Sequence, residues 1–229
     1  MTKDLKRMIN LIETFNTQRS ARTRRRIQSI RDFIAIYQEL RETLSSKGIA
    51  PFNVFNILDI GNDEVRHSSF LAWLLDAKAN HYQSNLFFNA FLQSCKIGLP
   101  LDRLTGYVVR PEFAGVESII DILVYCRNEF IVFIENKTDS EEGTEQLARE
   151  FRDMRRLGSR LRIPHERQFA VFLTPDGRKP VTGDPTCWQT LSYQLLGTLF
   201  GQLVPQITSD KVRFTLEDWL EVISNFGRE

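Results

Sequence analysis

Apolar positions along the chain mark helices first. In residues 3–16, Leu5, Met8, Ile9, Ile12 and Phe15 recur at three- and four-residue intervals, the spacing of one helix face. A polar interval, TQRSARTRRR, leads to a second such stripe between Arg26 and Ser45, with Ile27, Ile30, Phe33, Ile34, Tyr37, Leu40 and Leu44 on one side. Gly48 and Pro51 then break the pattern. These features predict a helical extension over residues 1–47 and a core over residues 48–229. In the core, Asn62 or Asp63 is placed to cap a helix reaching about Asp76, with Val65, Phe70, Leu71, Trp73, Leu74 and Leu75 apolar. A further helix is predicted over 84–95.

The period then changes. Short runs rich in β-branched and aromatic residues at 107–110, 118–125 and 130–135 predict strands. A polar helix over 144–157 follows, then a strand over 168–173 ended by the turn Thr174-Pro175-Asp176-Gly177. After a short strand over 188–191, helices are predicted over 192–204 and 216–226. Thr215 and Asp218 are spaced like a capping box for the last, with Asp where Glu or Gln is usual. Helices, three strands, a helix, a strand and closing helices make a mixed α/β core.

Composition narrows the class. Of 229 residues, 42% are hydrophobic and 26% charged, a globular balance, and no apolar run approaches the ~20 residues of a membrane span. The N-terminus, MTKDLKRMIN, carries charges where a signal peptide needs an apolar stretch, which predicts a cytoplasmic protein with no membrane attachment. Cys95, Cys126 and Cys187 form no CxxC pair and His67, His81 and His165 share no ligand spacing, so neither a zinc site nor a disulfide framework is indicated. Walker, GxSxG and HExxH motifs are absent.

Charge is distributed unevenly. Residues 1–31 hold nine basic residues against two acidic ones, +7, which leaves −6 on the remainder of a chain whose formal net charge is +1. Arg22, Arg24, Arg25 and Arg26 form the densest part of this segment. Such a segment suits an electrostatic grip on a nucleic-acid backbone, and equally a solvated helix face.

The stretch Ile119–Lys137, IIDILVYCRNEFIVFIENK, carries the chemistry. Two apolar strands flank a turn, and a hairpin symmetric about Asn128 sets Asp121 opposite Glu135, with their side chains on one face. Lys137 shares that face because strand side chains alternate. Two carboxylates and an ammonium at the end of an oily sheet are costly to assemble. A simple surface ion pair explains them without function, whereas a divalent cation would remove the repulsion between the acids.

The D-x13-E-x-K pattern of Asp121, Glu135 and Lys137 resembles the PD-(D/E)xK nuclease superfamily. The segments EVRHSSFLAWLLD, DILV, IENK and EQL resemble a bacterial branch with a Glu-x-x-His-Ser helix ahead of the hairpin, over roughly residues 50–200. Ile120 stands where the family name has Pro. The resemblance implies a restriction-endonuclease-like mixed central sheet flanked by helices. It also implies Mg²⁺, replaceable by Mn²⁺, held by Asp121, Glu135 and the backbone carbonyl of Asn136. Glu64 would complete the metal shell or hold a second ion, Lys137 would orient or deprotonate the attacking water, and Gln146 would position water or substrate. His67, one helical turn after Glu64, is expected to support the site from behind or to cap the helix. Outside a site, Glu64 would simply favour a helix N-terminus and Gln146 would be an ordinary exposed helix residue.

The implied function is Mg²⁺-dependent hydrolysis of DNA phosphodiesters, by an endonuclease of bacterial defence, restriction or repair. A homodimer or larger assembly is expected, since cutting both strands takes two sites. The rival is a non-catalytic nucleic-acid-binding or assembly module on the same fold, which has no use for three clustered charges. Hydrolysis of RNA or of a nucleotide is the third reading, because fold does not settle substrate.

Overall fold

The computed structural model describes residue 28, residues 52–99 and residues 106–227. The helical extension over 1–47 and its arginines lie outside the described residues. From Asn53 onward the described chain is one compact unit. Its helices are α1 (Val54–Ile57), α2 (Glu64–Leu75), α3 (Leu86–Ser94), α4 (Gln146–Arg160), α5 (Tyr193–Leu203) and α6 (Asp210–Ile223). Five strands, β1 (Val108–Ala114), β2 (Ile119–Cys126), β3 (Phe130–Asn136), β4 (Gln168–Thr174) and β5 (Trp188–Ser192), lie in sequence order across one sheet. β1, β2 and β3 are antiparallel neighbours; β4 and β5 continue the sheet parallel to β3. This is a mixed central sheet flanked by helices, the architecture the resemblance implied.

All seven residues of β3 are buried, as a central strand covered on both faces requires. Alternate positions therefore serve two cores. Val132 and Ile134 join Leu71, Leu74, Phe87, Tyr193 and Trp219 beneath α2, α3, α5 and α6. Ile131 and Phe133 join Leu147 and Met154 beneath α4. This division decides what each residue at the end of β3 can reach. α4 also makes the crossover that the parallel β3–β4 pair needs.

Three departures from the sequence pattern have physical causes. β1 continues through Pro111 to Ala114 because it is an edge strand, where a missing N–H leaves no ladder bond unmade. α6 begins at Asp210, so the capping box at Thr215 and Asp218 is corrected. The Thr215 hydroxyl donates to the Lys211 carbonyl at 2.8 Å inside the helix, and Asp218 Oδ2 accepts the Val54 N–H at 3.1 Å. The buried stripe of α6 starts a turn early, at Val212, but exposed Phe214 and flanking charges blur its period. Finally, α1 is a single turn, capped by Asn53 Oδ1, which accepts from Phe55 and Asn56 N–H at 3.0 and 3.3 Å.

Cys95, Cys126 and Cys187 are free thiols. Among the described residues no helix is long and apolar enough to cross a membrane.

Candidate active site

The β2–β3 hairpin pairs Ile122 with Ile134 and Cys126 with Phe130, a register symmetric about Asn128. Asn128 takes φ 63°, a left-handed conformation that Asn tolerates well at a tight turn. Continued one step, the register sets Asp121 across from Glu135. The strands are fastened there by the Asn136 N–H, which donates to Asp121 Oδ2 at 2.7 Å. Burial pushes the Asp121 carboxyl up to about 6, against the pull of the Asn136 N–H and the Lys137 charge.

Glu135 is 1% exposed. Its Oε1 meets the Lys137 ammonium at 3.1 Å and accepts from Gln146 Nε2 at 2.5 Å, while its Oε2 has no donor. Burial, then the charges of Asp121 and Glu150, raise its pKa well above the ordinary carboxylate value. Gln146 opens α4, and its Oε1 accepts the Gly143 N–H at 3.0 Å, which fixes its amide with Nε2 towards Glu135.

Glu64 opens α2 behind the Asp63 cap. Its Oε1 accepts from Thr138 N–H, Ser140 N–H and the Ser140 hydroxyl at 3.0, 3.3 and 2.7 Å, and its Oε2 lies 3.4 Å from Lys137 Nζ. Burial works against ionisation here, but the Ser140, Thr138 and Lys137 contacts together hold the carboxyl below its usual range. Glu64 therefore wraps the segment after β3 around the start of α2. Lys137 is 8% exposed. Burial opposes its charge, yet Glu135 and Glu64 outweigh burial and keep it an ammonium.

Asn136 points to the opposite face of β3 from its two charged neighbours. Its Nδ2 donates to Ser68 Oγ at 3.0 Å and to the Glu64 carbonyl at 3.3 Å, and its Oδ1 accepts from the Tyr193 hydroxyl at 2.7 Å. One side chain thus ties β3 to α2 and α5 directly between Glu135 and Lys137.

The structure brings Glu64, Asp121, Glu135, Asn136, Lys137 and Gln146 together. His67 goes elsewhere, which corrects its expected place behind the site. Its ring nitrogens bond the Gly61 carbonyl at 2.9 Å and the Trp219 N–H at 3.0 Å, and Phe226 packs edge-on against it. The imidazole is a core group that joins the approach to α2 with α6; burial lowers its pKa. Arg22, Arg24, Arg25 and Arg26 fall outside the described residues.

Sequence reasoning missed four contributors. Ser68 and Tyr193 hold Asn136; Ser68 is the serine of the Glu-x-x-His-Ser segment, which had no role assigned, and Tyr193 stands at no spacing that reveals it. Glu150 is buried one turn after Gln146, and burial pushes its carboxyl up to about 8. Its four-residue offset was the available signal, lost among the charges of α4. Glu142 accepts from Thr182 N–H, the Thr182 hydroxyl and Val181 N–H at 2.7, 2.8 and 3.0 Å, and pairs with Arg178. It holds the loop after β4 against the wall of a cleft of about 460 Å³, lined by Lys137, Thr138, Ser140, Pro175 and Arg178 among others.

These groups suit a hard divalent cation. Glu135 Oε2 is a buried carboxylate oxygen with no donor, on a glutamate that feels the Asp121 charge. Among the described residues, no three Asp, Glu, His or Cys side chains form a ready cage. Two carboxylates with the remaining positions left to carbonyl and water is the manner in which Mg²⁺ is usually held.

A family model described as the PD-(D/E)XK nuclease superfamily matches residues 52–225. No curated protein and no solved structure matches the chain.

Proposed function

We propose that this chain, which belongs to the PD-(D/E)XK nuclease superfamily, hydrolyses DNA phosphodiester bonds with a divalent cation, Mg²⁺ or Mn²⁺, held by Asp121 and Glu135. The observation that carries the reading is the apposition of half-buried Asp121 and buried Glu135 beside the Lys137 ammonium, which lines an open cleft. The Asn136 carbonyl and Glu64 would complete the protein's share of the shell. When bound, the cation supplies Lewis-acid polarisation of the phosphate and lowers the pKa of coordinated water.

The remaining work falls to the chain. Lys137, kept charged by two carboxylates, donates to a phosphate oxygen and orients the attacking water; its raised pKa suits a donor better than a base. Gln146 holds Glu135 in place by donating from Nε2 to its Oε1, and the bond from Gly143 N–H to Gln146 Oε1 stops the amide from turning away. Tyr193 and Ser68 fix Asn136, and with it the spacing of Glu135 and Lys137. The arginines at 22, 24, 25 and 26 supply phosphate contacts on DNA, in a defence, restriction or repair setting. Cutting both strands would use two copies of the chain.

Incubation with supercoiled plasmid, linear duplex, single-stranded DNA and RNA, with Mg²⁺, Mn²⁺ or EDTA, tests this. Metal-dependent nicking or cutting of DNA is expected. Binding of DNA without cleavage under every metal condition supports the non-catalytic module instead, and cleavage of RNA alone moves the substrate class.

A further inference from the structure

The outer side of α4 has no part in the account above. Arg149, Arg152, Arg156 and Arg160 follow one another at steps of three, four and four residues, so they line one face of the helix. Leu147, Met154 and Gly158 are buried on the other side. Arg152 and Arg156 keep 47% and 48% of their side chains exposed, and Arg160 is exposed.

Positive charge is concentrated here. Residues 149–162 hold six arginines against Glu150 and Asp153, +4, so the −6 of residues 32–229 becomes −10 outside this segment. Both acids are buried, which leaves the outer face of α4 without a carboxylate of its own. A helix face that only meets water interleaves the two signs, whereas like charges at three- and four-residue spacings repel.

The β1–β2 turn sets two of these cations in place. Glu117 Oε2 accepts from Arg152 Nε and Nη2 at 3.0 and 2.6 Å, and Glu117 Oε1 pairs with Arg156. Arg156 Nη1 also meets Asp153 Oδ1 at 3.3 Å. A guanidinium carries five N–H donors, so both arginines keep donors for a further anion. One glutamate thus orders two arginines a helical turn apart, and their side-chain freedom is lost before a ligand arrives. The stripe also leads away from the candidate active site. Gln146, which bonds Glu135, opens α4, and Arg149 follows it by three residues. From Gln146 to Arg160 the helix rises about 21 Å, the length of roughly six base pairs of duplex at ~3.4 Å each.

We propose that the face of α4 carrying Arg149, Arg152, Arg156 and Arg160 grips the phosphates of duplex DNA as it runs away from the cleavage site. The inference rests on the reading that DNA is the substrate. The arginines supply position and not chemistry: they bind backbone phosphates whatever the sequence, and α4 carries the grip to the strand held at Gln146 and Glu135.

Binding of a labelled duplex to the full chain, followed by fluorescence anisotropy in EDTA across a salt series, tests the proposal apart from cleavage. Replacing the four arginines with Gln should flatten the slope of log K against log salt by up to about 3–4 units, while replacing them with Lys keeps the wild-type slope. Mn²⁺ binding stays unchanged in both. Arg149→Gln with Arg160→Gln spares the Glu117 pairs and should flatten the slope by up to about 2 units, so this pair decides should the fourfold variant not fold. A purely structural stripe would lower the melting temperature and leave the slope alone. A wild-type slope in the folded Gln variants overturns the α4 contact and leaves the proposed function standing; a changed mass in sedimentation beside that slope would assign the stripe to another copy of the chain. A wild-type chain that binds no duplex at low salt overturns both.

Discussion

Tyr193 donates its hydroxyl hydrogen to Oδ1 of Asn136 at 2.7 Å, with both side chains fully buried. Asn136 stands between Glu135 and Lys137, so this bond sets the position of the strand end that carries both. Tyr193→Phe leaves the Asn136 oxygen without its donor inside the core. We expect a loss of about 1–3 kcal/mol of stability, seen as a lower melting temperature. Cleavage by the folded variant should slow through kcat, with KM little changed, because the loss is one of positioning.

Lys137 and Glu135 lie 3.1 Å apart, yet their variants should behave differently. Lys137→Ala removes a donor to the phosphate and leaves the carboxylates in place. Mn²⁺ affinity should hold, while cleavage falls by roughly 10²–10⁴-fold. In EDTA the variant should also melt below wild type, since Glu135 loses its cation, and Mn²⁺ should restore much of the difference. Thermal melts with and without metal check both parts.

Asp153 offers a structural contrast, with its hydrogen-bond partners in the β1–β2 turn. Burial raises its pKa, but the donors from Glu117, Ser118 and Val116 outweigh burial and hold the carboxyl below its ordinary 3.8. A depressed folded pKa stabilises the protein above the unfolded value and loses that contribution as pH falls through the folded one. Stability tied to the β1–β2 turn should therefore persist above about pH 4 and fade below it. Asp153→Asn should cost about 1–3 kcal/mol at neutral pH and remove this acid dependence, with Mn²⁺ binding unchanged. Denaturant titrations across pH measure it.

The arginine cluster is tested through salt. Each phosphate contact on duplex DNA adds about −0.9 to the slope of log K against log salt. Replacing Arg22, Arg24, Arg25 and Arg26 with Gln should flatten the slope by up to about 3–4 units and leave Mn²⁺ binding intact. An unchanged slope with an altered mass in sedimentation would assign the cluster to contacts between subunits.

Much of the fold and the central chemistry was legible because both rest on local periodicity. Alternation gave the hairpin, and the symmetry about Asn128 gave the apposition of Asp121 and Glu135. The start of α6 was hidden by exposed Phe214, which breaks the apolar stripe, and the length of β1 by Pro111, which only an edge strand admits. The His67 environment could not be read, because its partner Trp219 lies 152 residues away and no spacing rule spans that distance. The roles of Glu150, Ser68 and Tyr193 were missed for a related reason. Their relation to Glu135 and Asn136 exists only after α4, α2 and α5 have packed against the two faces of β3.

The proposed function requires Asp121 and Glu135 together to hold the cation. Single-turnover cleavage of the preferred DNA substrate in Mg²⁺, compared among wild type, Asp121→Asn and Glu135→Gln, tests it most directly. Both variants keep the shape of the replaced side chain while removing its charge. EDTA should stop the wild-type reaction, and each variant should be slower by roughly 10²–10³-fold or more. Wild-type rates in either folded variant, or cleavage that persists in EDTA, would contradict it.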